Sequence, residues 1–224
     1  MDNLSFYPAR GEKSFKMTRP VPTIFIVDDT SSVRKGLERL IRSAGFNAET
    51  FASGEEFLRR KRHEDPSCLV LDVRLPGLSG MDLQKRLVQE NTYMPIIFIT
   101  GHGNIPMSVK AMKNGAVDFL PKPFDGKELL SAIDRAIDKA IRIRQDAAEK
   151  AKVQSMVDTL TPREYDILRW VITGMLNKQI AFKLKVTERT VKAHRGSVMQ
   201  KMQVVSVADL VRITQKCGIT PAEK

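Results

Sequence analysis

The sequence predicts a doubly wound α/β domain with a parallel sheet, followed by a smaller all-helical domain, and three observations carry that expectation. Short β-type runs alternate with helical patterns between Thr23 and Leu120, the composition shifts to strong helix formers after Ile143, and four short helix patterns crowd the residues from 161 to 216. A length of 224 residues suits two domains.

In chain order the candidate strands are TIFIV at 23–27, NAETF at 47–51, CLVLD at 68–72, PIIFI at 95–99 and VDFL at 117–120. The runs at 68–71 and 96–99 are apolar on both alternating faces, as strands covered by helices on both sides must be. Between them, helical apolar spacing marks 31–44, 80–89 and 105–114, and Ser53 with Glu56 fits a capping box. From Lys127 to Val157 the spacing predicts one long helix, with Leu129, Leu130, Ile133, Ile137 and Ile141 three and four residues apart. Its second half, RQDAAEKAKVQ, has few apolar anchors and reads as an exposed helical spacer.

The last domain opens on a well-marked helix: Thr161 as N-cap, Pro162 at the first helical position and Glu164 completing a capping box. Gly174 can end it. NKQIAFKLKV then forms a second helix, Thr187 caps a third, and SVADLVRITQK supplies a fourth, which makes a helix-turn-helix candidate. The expected organisation is a flexible arm at 1–21, the α/β domain at 22–140, a helical linker at 141–157, the DNA-binding candidate at 158–218 and a tail at 219–224.

Composition excludes several classes. Hydrophobic residues make up 42% and charged residues 28%, which argues against disordered, collagen-like or membrane-embedded chains. The N-terminal segment lacks the continuous apolar block of a secretory signal, and Cys68 and Cys217 stand far apart with no ligand pattern, so a cytoplasmic protein without disulfide or zinc is expected. The net charge of +11 is unevenly spread: residues 22–126 hold 14 Lys+Arg against 13 Asp+Glu, whereas 158–217 hold 11 against 5. Only the second half has the balance of a nucleic-acid partner.

Chemistry in an open parallel sheet gathers at the carboxyl ends of its strands. Asp28 and Asp29 close the first strand, Asp72 the third and Thr100 the fourth, and Lys122 follows the fifth. If the strand order is 2-1-3-4-5, three carboxylates meet at one edge, and a hard divalent cation plus a lysine ammonium relieves their repulsion. Oxygen-only ligation points to Mg²⁺, and a carboxylate beside it can take a phosphoryl group as an aspartyl phosphate, with Thr100 and Lys122 holding the remaining oxygens. A Mg²⁺-dependent phosphatase using the same intermediate competes with this reading, but it would want a second aspartate two residues after its nucleophile, where Arg74 stands. A constitutive DNA-binding protein whose α/β domain has lost its chemistry is the other alternative, and the complete set of five residues weighs against it.

VDDTSSVRKGL, LVLDVRLPGLSGMDL, IIFITGHGNIPMSVKAMKNGAVDFLPKPF and the basic C-terminal segment together resemble a two-component response regulator of the FixJ/NarL type over residues 22–217. LTPRE, NKQIA, TVKAH, VMQKM and ADLVR resemble the LuxR-type DNA-binding module. The resemblance implies a flavodoxin-like (βα)5 receiver joined to a four-helix LuxR-type helix-turn-helix domain. It implies Asp72 as phosphoacceptor, Asp29 as a direct Mg²⁺ ligand, Asp28 as a ligand acting mainly through water, and the backbone carbonyl of Arg74 as the last protein ligand. Thr100 and Lys122 match the phosphoryl-sensing positions, Phe119 the aromatic switch, and Lys122–Pro123 a bond usually cis in the family. The implied partners are a sensor histidine kinase, promoter DNA, RNA polymerase and, on phosphorylation, a second copy of the chain through the face at 105–120. No enzyme is implied: the receiver takes part only in its own phosphoryl transfer and autodephosphorylation.

On a wheel of the third C-terminal helix, Val191, His194, Val198 and Met202 share a packing face. Arg189, Lys192, Ala193, Gly196 and Met199 lie on or near the opposite one. Lys192 is therefore the leading candidate for a base or phosphate contact, Ala193 for a thymine methyl and Arg189 for a phosphate, with Lys178, Thr187 and Arg195 as further phosphate candidates. Gly196 departs from relatives with a larger side chain there and costs about 1 kcal/mol of helix propensity relative to Ala. Arg74 and His102, two positions beyond Asp72 and Thr100, are expected to shield an aspartyl phosphate and slow its hydrolysis.

Overall fold

A computed structural model describes residues 21–61, 65–90, 92–101 and 105–223, so residues 1–20 of the expected N-terminal arm and His102 lie outside the described residues. The chain divides after Ile141 into two compact units.

Five strands, β1 (Thr23–Val27), β2 (Asn47–Phe51), β3 (Ser67–Asp72), β4 (Ile96–Thr100) and β5 (Asp118–Pro121), form one sheet in the order β2-β1-β3-β4-β5. All pairings are parallel. Helices α1 (Ser31–Ser43), α2 (Gly54–Leu58), α3 (Gly80–Gln89) and α4 (Ile105–Lys113) connect them, and α5 (Gly126–Val157) follows β5.

Alternation in the strands sorts their side chains between two cores. Ile24, Ile26, Cys68, Val70, Ile97 and Ile99 pack with Leu37 and Ile41 of α1 and with Leu129, Ile133 and Ile137 of α5. Phe25, Val27, Leu69, Leu71 and Phe98 face the other way, onto Phe57 of α2, Leu83 and Leu87 of α3 and Ala111 of α4. The sheet is therefore covered on both faces, as the doubly apolar strands predicted.

The second unit contains α6 (Pro162–Val171), α7 (Asn177–Leu184), α8 (Glu188–Lys201) and α9 (Val207–Lys216). Thr161 and Glu164 close the capping box of α6, and Thr187 caps α8 by accepting from the Thr190 amide. Ile167, Leu168, Val171, Ile180, Val191, Val198, Met202 and Leu210 form its core.

Two local expectations are corrected, and the expected tail has contacts of its own. The Ser53 side chain accepts from the Glu56 amide, but Glu56 bonds the Ala52 amide instead of closing the box on Ser53. The end of the expected spacer is anchored, since Val153 and Val157 are buried in the second core, where aliphatic side chains one helical turn apart can share a face. The expected tail is tied down too: Arg169 donates to the carbonyls of Thr220 and Pro221, the Ala222 amide donates back to Arg169, and Ile219 packs on the core.

Candidate functional site

Sheet register builds the first site. Val27 pairs with Leu71, so the next residues, Asp28 and Asp72, emerge side by side. Asp72 pairs with Ile99, and Thr100 pairs with Pro121, which brings Thr100 and Lys122 to the same end of the sheet. The Lys122 amide donates to the Thr100 carbonyl at 2.7 Å, and the peptide between Lys122 and Pro123 is cis.

Lys122 Nζ lies between two carboxylates, 2.6 Å from Asp28 Oδ2 and 3.1 Å from Asp72 Oδ2. The other Asp28 oxygen accepts the Thr30 amide at 2.8 Å, and Asp72 Oδ1 accepts the Arg74 amide at 3.3 Å. Asp29 is exposed, and its Oδ1 accepts from the Thr30 hydroxyl at 3.1 Å. One carboxylate oxygen from each of Asp28, Asp29 and Asp72 lies within 4.8 Å of the others. An all-oxygen donor set with one solvent-facing member fits a hard cation such as Mg²⁺.

The electrostatics agree. Burial pushes the Asp72 carboxyl above its ordinary value, and the hydrogen bond and charge of Lys122 only partly oppose it. For Lys122 burial acts downward, but the bonds to and charges of Asp28 and Asp72 outweigh it and hold the ammonium above its ordinary value. Lys122 meets two of the three clustered carboxylates, which leaves excess negative charge that a divalent cation would cancel.

Thr100 is buried beside this cluster, and Phe119 is half-buried with its ring centroid 6.1 Å from that of Phe98. The Arg74 side chain is exposed.

Residue reading alone missed the supports of this pocket. Arg34 of α1 donates to the Asp28 carbonyl at 2.6 Å, and Glu55 of α2 accepts the Leu78 amide in the loop after β3. A Cβ on Gly80 would stand 2.2 Å from the Asp72 carbonyl, so only glycine lets α3 start against the end of β3. The glycine after Ser79 was the one visible signal. The other two contacts join distant segments and leave no local pattern.

In the second unit, Arg189, Lys192, Ala193 and Gly196 are exposed on one side of α8, opposite the buried Val191, Val198 and Met202. A Cβ added at Gly196 would meet open space, so nothing inside the chain requires glycine there. Lys178 and Thr187 are exposed as well, with the Thr187 hydroxyl engaged in capping. Two expectations shift. Arg195 lies half-buried and donates to Asn177 Oδ1 at 2.9 Å, tying α8 to the start of α7. Met199 packs on the core, because its position falls at the edge of the apolar stripe. His194 is half-buried.

Comparison with known proteins covers both units. Residues 24–134 match the response regulator receiver domain family, and residues 158–214 match the luxR family of bacterial regulatory proteins. Nodulation protein W of Bradyrhizobium diazoefficiens is 46% identical over 94% of this chain and 93% of its own length. Response regulator protein TodT of Pseudomonas putida is 44% identical over 89% of this chain and 88% of its own. Among solved structures, the response regulator StyR is 47% identical with a TM-score of 0.77, covering 88% of this chain and 99% of that one.

Proposed function

The chain belongs to the two-component response regulators that join a receiver domain to a LuxR-type DNA-binding domain, and from that premise we propose that Asp72 is the phosphoacceptor controlling its binding to promoter DNA. One observation carries this reading: Lys122 bridges Asp28 and Asp72 at the strand ends, in a pocket with more carboxylates than cations.

Asp28, Asp29, Asp72 and the Arg74 carbonyl would hold Mg²⁺, which when bound neutralises phosphoryl oxygens. An Asp72 oxygen attacks the phosphorus of a phosphohistidine on the sensor kinase. As the new O–P bond forms, the P–N bond breaks and its electron pair returns to the imidazole. Lys122 then pairs with the added charge and Thr100 donates to a phosphoryl oxygen. Movement of Thr100 opens space for Phe119 to turn inward, which alters the surface formed by α4 and β5. That surface, over residues 105–120, joins two copies of the chain, so that two α8 helices engage two half-sites together. Lys192, Arg189, Ala193 and Gly196 face the groove, Lys178 and Thr187 meet phosphates, and Arg195 acts chiefly by orienting α8. RNA polymerase is the further partner at the promoter, and the cytoplasm the compartment; among the described residues no helix is long and apolar enough to cross a membrane.

The test is sedimentation and DNA binding with Mg²⁺, with and without acetyl phosphate. The phosphorylated chain should double its mass and bind DNA more tightly, and Lys192→Ala should weaken that binding. A chain that stays monomeric and binds equally well in both states overturns the switch.

A further inference from the structure

Among the described residues the receiver core contains a buried amide side chain that stability alone does not explain. Gln84 of α3 is 1% exposed, on the core-facing side of a helix that also buries Leu83 and Leu87. Its Nε2 donates to the carbonyl of Ala111 at 3.2 Å and to that of Asn114 at 3.3 Å, both at the C-terminal end of α4. Its Oε1 is buried with no hydrogen-bond partner. A lone buried acceptor is costly, and an apolar side chain of the same volume would avoid that cost.

What the amide does provide is a fixed position. The Ala111 carbonyl already accepts from the Ala116 amide, and the Asn114 carbonyl lies past the last turn of α4, where helical partners have run out. The two Gln84 hydrogen bonds therefore lock the terminus of α4 to α3. The opposite side of α4 carries Ile105, Val109 and Met112, spaced four and three residues apart and all exposed.

We propose that Gln84 is a positioning residue for dimerisation: it holds α4 in one place so that the stripe of Ile105, Val109 and Met112 meets a second copy already ordered. This rests on the dimer reading above. Fixing a surface before association lowers the ordering cost of binding, so loss of the two hydrogen bonds weakens the dimer without touching the phosphorylation pocket.

Gln84→Met and Gln84→Leu in the full chain test this, with acetyl phosphate and Mg²⁺ as the probe. Both variants should melt no lower than wild type and take phosphate at the wild-type rate. Hydrogen exchange of the amides from 108 to 116 should quicken about tenfold, and the sedimentation dimer should weaken about tenfold. Equal dimerisation by a folded variant overturns the role of Gln84, and lower melting of both variants shows that the amide serves stability instead. If the phosphorylated wild type itself stays monomeric, it is the dimer reading that fails.

Discussion

Each unit of the chain buries an acid against a lysine, and the two pairings are built differently. In the second unit Glu164, 6% exposed, accepts from Lys201 Nζ at 2.6 Å and from the Thr161 amide at 2.8 Å, while Lys201 also reaches the Thr159 carbonyl. The Lys201 hydrogen bond, seconded by the Thr161 amide, holds the Glu164 carboxyl below its ordinary value. In the receiver one lysine serves two buried carboxylates with a third alongside, and burial holds Asp72 above its ordinary value. A satisfied pair secures a fold. A pocket with surplus charge is poised for a ligand, so the contrast separates structure from site without reference to any relative.

The largest stability effect is expected at the satisfied pair. Glu164→Gln should destabilise the second unit by about 2 kcal/mol in chemical denaturation, because Lys201 loses its charge partner and the α6 cap is weakened. The stabilisation from Glu164 is complete above the ordinary glutamate value of 4.5 and disappears as pH falls through the lower folded value. The wild-type and Glu164→Gln curves should therefore approach each other as pH falls below 4.5; a gap that does not narrow in acid contradicts the pairing.

Asp72→Asn should move stability the other way, by about 1 kcal/mol or less. A raised carboxyl value means that the folded state disfavours the ionised form. The resulting cost is absent below the ordinary value of 3.8 and present in full above the raised folded one. A clear loss of receiver stability at pH 7 in Asp72→Asn would place Asp72 with Glu164 as a structural acid.

Gly196 extends the contrast to the exposed side of α8 proposed to meet DNA, where a residue unfavourable for the helix stands with no packing reason. Gly196→Ala should stabilise the second unit by about 1 kcal/mol while weakening DNA binding. Stabilisation with unchanged DNA affinity would remove the case for close approach at that position.

Much of this was legible from the residues because the signals are local. Strand runs, the Thr161–Glu164 cap and the positions of Asp28, Asp29, Asp72, Thr100 and Lys122 at strand ends depend on short-range pattern, and register then brings those residues together. Features that depend on the path of the chain were not legible. Glu55 meets Leu78 across 23 positions and Gln84 meets Ala111 across 27, and Arg195 bonds Asn177 on another helix. Nor did helix propensity reveal that Val153 and Val157 belong to the second core, because two apolar residues in a polar stretch acquire meaning only from what packs on them.

Surplus carboxylate charge around Lys122 marks Asp72 as the proposed acceptor of phosphate. Mass spectrometry of the full chain, Asp72→Asn and Glu164→Gln after incubation with Mg²⁺ and acetyl phosphate tests it most directly. Wild type and Glu164→Gln should each gain a single acid-labile phosphate, and Asp72→Asn none. Incorporation into Asp72→Asn as fast as into wild type would remove Asp72 as the acceptor.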